Sequence, residues 1–150
     1  MQKPRFTVDE VLMGRIAPQA LTTQQATNLT TLIERCSLVF QGLRMPLIVS
    51  SGYRSPAINA AVPGSAKRSL HMECAALDIR DVDGRVRDYV LANLALLKQA
   101  QLWLEDPRWT PIWIHLQIYA PKSGKRVFIP DTSAPKAPEA WSGTYDSSLD

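Results

Sequence analysis

Histidine and cysteine are scarce in this chain, with two of each in 150 residues. Two cysteines, Cys36 and Cys74, are too few to build a disulfide framework. Cys36 falls on an apolar helical repeat and reads as a buried thiol. No run of 18 or more apolar residues occurs, which excludes a transmembrane helix and a membrane partner. The opening Met-Gln-Lys-Pro-Arg-Phe-Thr lacks the apolar stretch of a secretory signal. The expected location is therefore cytoplasmic as made. An excess of one charge is also lacking: 17 Lys and Arg stand against 14 Asp and Glu. The basic residues are dispersed, and there is no basic stripe interleaved with aromatics of the kind a nucleic-acid surface carries. No nucleic-acid partner is expected. No internal repeat is present.

What is there fits one soluble domain. A chain of 150 residues can bury a core of its own, and a monomer is expected. The pattern predicts a short helix over Phe6 to Met13, with Thr7 as N-cap and Glu10 completing a capping box. Thr22 or Thr23 caps a longer helix. Its apolar residues Leu29, Leu32, Ile33, Cys36, Val39 and Phe40 recur at helical spacing, and Gly42 ends it. Met45 to Ser50 reads as a buried strand. Pro56 opens a short helix that runs to Val62. A loop follows, then a strand over Ala75 to Arg80 and a turn at Asp83-Gly84. Val86, Val90, Leu94 and Leu97 mark a second long helix that ends near Ala100. Leu102 to Glu105, Ile112 to Ile118 and Arg126 to Ile129 read as strands. Ser123-Gly124 is expected to turn a hairpin between the last two. Helices and strands without regular βαβ alternation predict an α+β fold: an antiparallel sheet with helices packed on one side. Residues 1–130 form the expected domain. Residues 131–150 are rich in Pro, Ser, Ala and Thr and are expected to be a poorly ordered tail. Trp141 and Tyr145 are its exceptions and are expected to pack back.

The two histidines carry the chemistry. His71 and Asp78 lie seven residues apart in Ser69-Leu-His-Met-Glu-Cys-Ala-Ala-Leu-Asp78. His115 comes later, in Trp113-Ile-His-Leu-Gln117. Two imidazoles and one carboxylate suit Zn²⁺ and leave a fourth coordination position open, the arrangement of hydrolytic zinc. Against this, a lone histidine between apolar residues is more often a satisfied core residue. The spacing is not a short local zinc motif.

Three segments in order decide between these readings. Ser51-Gly-Tyr-Arg-Ser-Pro-Ala-Ile-Asn59, Ser69 to Asp78 and Trp113-Ile-His115 together resemble the D-alanyl-D-alanine metallopeptidase family. That family includes zinc D,D-carboxypeptidases, vancomycin-resistance dipeptidases and phage L-alanyl-D-glutamate endolysins. Its signature reads S-x-H-x-x-G-x-A-x-D, followed by W-[IV]-H. Ser69, His71, Ala76, Asp78 and His115 match it, and Cys74 stands at the glycine position. The resemblance implies a zinc site on the sheet formed by His71, Asp78 and His115. It implies that Arg54 polarises the scissile carbonyl and that Ser69 meets substrate. Tyr53 is expected to shape the pocket, with Asn59 holding its loop. Gln117, two residues beyond His115 on the same strand face, is expected to contact a ligand or the site itself.

The general base departs from the commonest pattern. Many members place a glutamate three residues before the last histidine, where this chain has Ile112. Others resemble a glutamate closing the preceding strand, which here is Glu105. Asp106 is the next candidate and Glu73 a remote third. The function implied is a zinc peptidase acting on peptidoglycan stem peptides. Both an endolysin-like L-alanyl-D-glutamate endopeptidase and a D,D-carboxypeptidase remain open. A phage enzyme released through a holin would fit the absence of a signal. The alternative is a non-catalytic zinc- or wall-binding domain of the same fold, motivated by Ile112 and Cys74. A domain without metal is a third reading.

Overall fold

Capping chemistry starts the two N-terminal helices where the sequence places them. In the computed structural model, which describes residues 3–63, 65, 67–130 and 147–150, α1 spans Val8–Leu12 and α2 spans Thr23–Val39. Thr7 and Glu10 form a reciprocal capping box on α1. Thr22 and Gln25 form the equivalent box on α2. The α2 ladder tightens into a 3₁₀ turn over Phe40–Gly42 rather than stopping cleanly at glycine. Ser55 caps α3 (Pro56–Ala61), with proline in its first turn.

The expected second long helix is two: α4 (Arg85–Ala92) and α5 (Leu94–Ala100). The break is at Asn93, whose side-chain amide donates to the Tyr89 carbonyl at 2.8 Å. Such side-chain bonding competes with the helical ladder, while the apolar spacing runs on across it.

Five strands form one sheet: β1 (Val49–Ser51), β2 (Ala76–Arg80), β3 (Trp103–Glu105), β4 (Trp113–Gln117) and β5 (Val127–Phe128). Their spatial order is β1-β2-β4-β3-β5. Strand β1 is three residues long and sits later than expected, and its register against β2 slips between Val49 and Ser51. The sheet is mixed, which corrects the purely antiparallel expectation. β2–β4 and β3–β4 are antiparallel, but β5 runs parallel to β3. The expected hairpin between Ile112–Ile118 and Arg126–Ile129 is therefore absent. Both edges of β4 are already taken by β2 and β3, so the chain carries β5 across to the free side of β3. The turn itself is present, with Gly124 at a φ of 70° and its N–H on the Pro121 carbonyl at 3.0 Å.

Strand alternation divides the sheet into two faces. Leu77, Ile79, Leu104, Ile114 and Leu116 are fully buried in one core with Leu32, Cys36 and Val39 of α2 and Leu97 of α5. The opposite face carries Asp78, Trp113, His115, Gln117, Glu105 and Phe128. This is an α+β domain with helices on the core side. No helix among the described residues is long and apolar enough to cross a membrane. Residues 131–146, with Trp141 and Tyr145, lie outside the described residues. The last residues do not: Leu149 packs against the core, and the Asp150 carboxylate accepts from the Arg126 N–H at 3.0 Å.

Candidate metal centre

Strand register assembles the site. Ser51 pairs with Asp78, and Asp78 with His115. The β3–β4 register runs Trp103↔Gln117 and Leu104↔Leu116, so the next step sets Glu105 against His115. Glu105 in turn pairs with Phe128. One transverse row thus crosses all five strands on one face: Ser51, Asp78, His115, Glu105, Phe128. His71 reaches the row from a 3₁₀ turn over Leu70–Glu73, which Ser69 caps by accepting the His71 N–H at 3.2 Å.

The ligand-type atoms of His71, Asp78 and His115 all lie within 4.8 Å of one another. Asp78 is at the centre. Its Oδ2 lies 3.3 Å from His71 Nε2 and 3.4 Å from Arg54 Nη2. Its Oδ1 lies 2.8 Å from His115 Nδ1. Nδ1 of His71 is 2.8 Å from the Gly52 carbonyl, which fixes the proton on Nδ1. In the neutral ring Nε2 then turns a lone pair toward Asp78 Oδ2. His115 is held on its other side by Gln117 Oε1, 2.9 Å from Nε2.

Electrostatics follow from this packing. Burial lowers the His71 pKa against the opposing pull of Asp78. Burial would also lower that of His115, but the hydrogen bond and charge of Asp78 outweigh it and lift it to about 9. Burial works to raise the Asp78 pKa, yet the two imidazoles hold it below the usual carboxylate range. Glu105 is pushed up by burial, with the His115 charge opposing and Asp78 assisting.

The donor set fits a divalent cation. A neutral imidazole nitrogen and a carboxylate oxygen aimed at each other are two acceptors short of a positive charge. His115 Nδ1 points at the same carboxylate, and Gln117 can keep a proton on Nε2 when Nδ1 gives its own up. Two nitrogens and an oxygen match zinc's preferences.

A cavity of about 500 Å³ opens over the row. Arg54, Ser69, His71, Asp78, Glu105, Trp113, His115, Gln117 and Phe128 line it. Arg54 is held by Ser51 Oγ at 3.0 Å and, at 3.5 Å, by the buried Asn59 Oδ1. Two expected residues are not brought in. Tyr53 is in the hydrophobic core rather than on the cavity wall, because its backbone N–H is tied to the Val11 carbonyl at 2.8 Å. Asp106 is fully buried beneath its own turn, where Arg108 takes both carboxylate oxygens. Glu73 does not line the cavity, and neither does Ile112, which is exposed at the entry to β4. Cys74 is also off the cavity, buried at a φ of 56° where the family pattern has glycine, with its thiol raised to about 11 by burial and by Glu73.

Three contributors escaped the sequence reading. Gly52 sets the tautomer of His71 through its carbonyl; its place in the matched Ser51-Gly-Tyr-Arg segment was the available signal. Arg68 and Lys122 add positive charge to the cavity lining from two separate loops, and no local pattern marks them.

The family model described as Peptidase M15 matches residues 4–101. The match includes Arg54, His71 and Asp78 and stops before Glu105 and His115. No curated protein and no solved structure gives a significant match. The match spans about two thirds of the chain and contains the first two of three converging ligand-type residues, so this chain belongs to the peptidase M15 family of D-alanyl-D-alanine metallopeptidases.

Proposed function

We propose that the protein is a zinc-dependent peptidase that hydrolyses peptidoglycan stem peptides. The observation that carries this reading is the shared row: a half-buried carboxylate, Glu105, in the same cavity as His71, Asp78 and His115. The three ligand-type residues would hold the ion. Bound there, zinc supplies a Lewis acid that polarises a carbonyl and acidifies water.

The remaining steps belong to the chain's own side chains. Glu105 is the general base: it accepts a proton from the attacking water at its carboxylate and passes it to the leaving amine. A raised pKa suits both halves of that task. Arg54 lies against the metal set and presents its guanidinium to charge developing on the carbonyl oxygen. Ser69 caps the turn that carries His71 and leaves its side chain on the cavity wall, within reach of substrate. Gln117 orients His115. Trp113 and Phe128 form apolar walls beside the reacting groups and limit water there.

Arg68 and Lys122 in the cavity lining favour acidic peptides, and stem peptides carry free carboxylates. Cleavage within the stem, at L-alanyl-D-glutamate, and removal of terminal D-alanine both fit an open cavity of this size. The test is mass spectrometry of purified muropeptides incubated with the zinc-loaded protein and with the chelated protein. New products one water heavier in sum than their parent, formed only with metal, are expected and identify the bond. Intact muropeptides with zinc-loaded protein would overturn the enzyme reading in favour of a binding domain.

A further inference from the structure

We infer that Asn28 is a positioning residue for the metal centre, bracing the turn that carries His71 to the strand that carries His115. The inference rests on the metal reading given above. Asn28 lies on α2, is 3% exposed and is not part of the cavity lining. Its Nδ2 donates to the Glu73 carbonyl at 2.9 Å, at the end of the His71 turn. Its Oδ1 accepts from the Tyr119 hydroxyl at 2.7 Å. The Tyr119 carbonyl accepts from Gln117 Nε2 at 2.8 Å, and Gln117 Oε1 lies 2.9 Å from His115 Nε2.

The network is directional. Gln117 presents its oxygen to His115 while its nitrogen donates to the Tyr119 backbone carbonyl, which favours that orientation of the amide. Tyr119 is in turn fixed by Asn28. Two further residues of the same helix reinforce the arrangement: Gln24 Nε2 donates to Asn28 Oδ1 at 2.9 Å, and Gln25 Nε2 to the Met72 carbonyl at 2.9 Å. Each end of the network stops at a ligand-bearing segment. A buried asparagine that only fastened a helix to a loop would need one such end. The position calls for a donor and an acceptor on one planar group. Aspartate could not donate to the Glu73 carbonyl, and leucine could do neither.

Partners that orient metal ligands are worth about 10–100-fold in metal affinity. The experiment compares Asn28→Ala, Tyr119→Phe and a control, Leu97→Ala, whose side chain is fully buried in the core on α5. Zinc affinity is read by chelator competition, and the melting of each metal-free protein is read alongside it. Asn28→Ala is expected to bind zinc about 10–100-fold more weakly. Tyr119→Phe is expected to lose affinity severalfold with little change in melting. Leu97→Ala is expected to melt lower yet keep the affinity of the parent. A lower melting temperature for Asn28→Ala with parental zinc affinity would overturn the brace. If that variant does not fold, Tyr119→Phe decides by the same two readings. If the parent takes no zinc, the metal reading falls separately. The imidazole ¹⁵N spectrum of the metal-free protein then decides the brace: a changed His115 signal in Tyr119→Phe supports it, and an unchanged one overturns it.

Discussion

At the scale of single residues, two side chains and one backbone carbonyl divide the work. Glu105 is opposite His115 in register and is raised by burial, so it is the residue whose proton affinity matters most. Glu105→Gln keeps size and polarity but cannot take a proton. It should retain zinc and lose about 10²–10⁴-fold in turnover, measured by muropeptide release at saturating zinc. Turnover within a few-fold of the parent would remove Glu105 from the role. Arg54→Ala should keep one zinc and lose about 10²-fold in turnover, the size of a lost oxyanion donor. Loss of zinc in step with activity would instead give Arg54 a structural task through Asp78. Gly52 is constrained by space. A Cβ there would lie 2.0 Å from the Val11 carbonyl oxygen, so backbone must move. Gly52→Ala should cost about 1–3 kcal/mol in denaturant unfolding and also weaken metal binding, since the same residue's carbonyl holds His71. An alanine variant as stable as the parent would contradict the close approach.

At the scale of elements, pairing between β2 and β4 couples Asp78 to His115 and makes the stability of the metal-free protein depend on pH. The His115 pKa rises from its ordinary 6.5 to about 9, so its contribution is full below about 6.5 and is lost as pH climbs through 9. The Asp78 pKa falls below its ordinary 3.8, so its contribution is present above that value and is lost as pH drops through the folded value. Chelated protein should therefore weaken from about pH 6.5 toward pH 9, while below 6.5 the lowered His71 pKa works the other way, because its buried neutral imidazole must charge. Urea midpoints across that range check it, and a flat profile between 6.5 and 9 would contradict the pair.

The elements also show what could be read in advance. Capping boxes at Thr7 and Thr22 are local signals, and both helix starts were legible. The strands around Glu105 and His115 were legible as apolar runs, and the structure pairs them antiparallel. The parallel seat of β5 was not. Val127 and Phe128 suit either neighbour, and the choice depends on β4 having no free edge. The break at Asn93 was hidden by an unbroken apolar period. Tyr53 was expected on the pocket because it lies in the segment that resembles the family, whereas its side chain is in the core and its backbone N–H is on the Val11 carbonyl.

At the scale of the whole molecule, the sheet separates two functions. One face closes the core with α2 and α5, and the other is left free to present a row of polar side chains beneath a cavity. That separation lets a mild net charge of +3 coexist with a locally basic cavity edge formed by Arg68 and Lys122. The convergence of His71, Asp78 and His115 was legible because the chain has only two histidines and both fall in the segments that resemble the family. Its supports were not, because glycine, asparagine and tyrosine act here through distant partners. We propose that one zinc ion, held by His71, Asp78 and His115, makes this protein a peptidase. The most direct measurement is the rate of muropeptide hydrolysis as zinc is titrated into chelated protein, with His115→Ala beside it. The rate should rise linearly to one equivalent and level off, and the variant should stay at baseline. Hydrolysis that ignores zinc, or its absence from a parent carrying one full equivalent, would contradict the account.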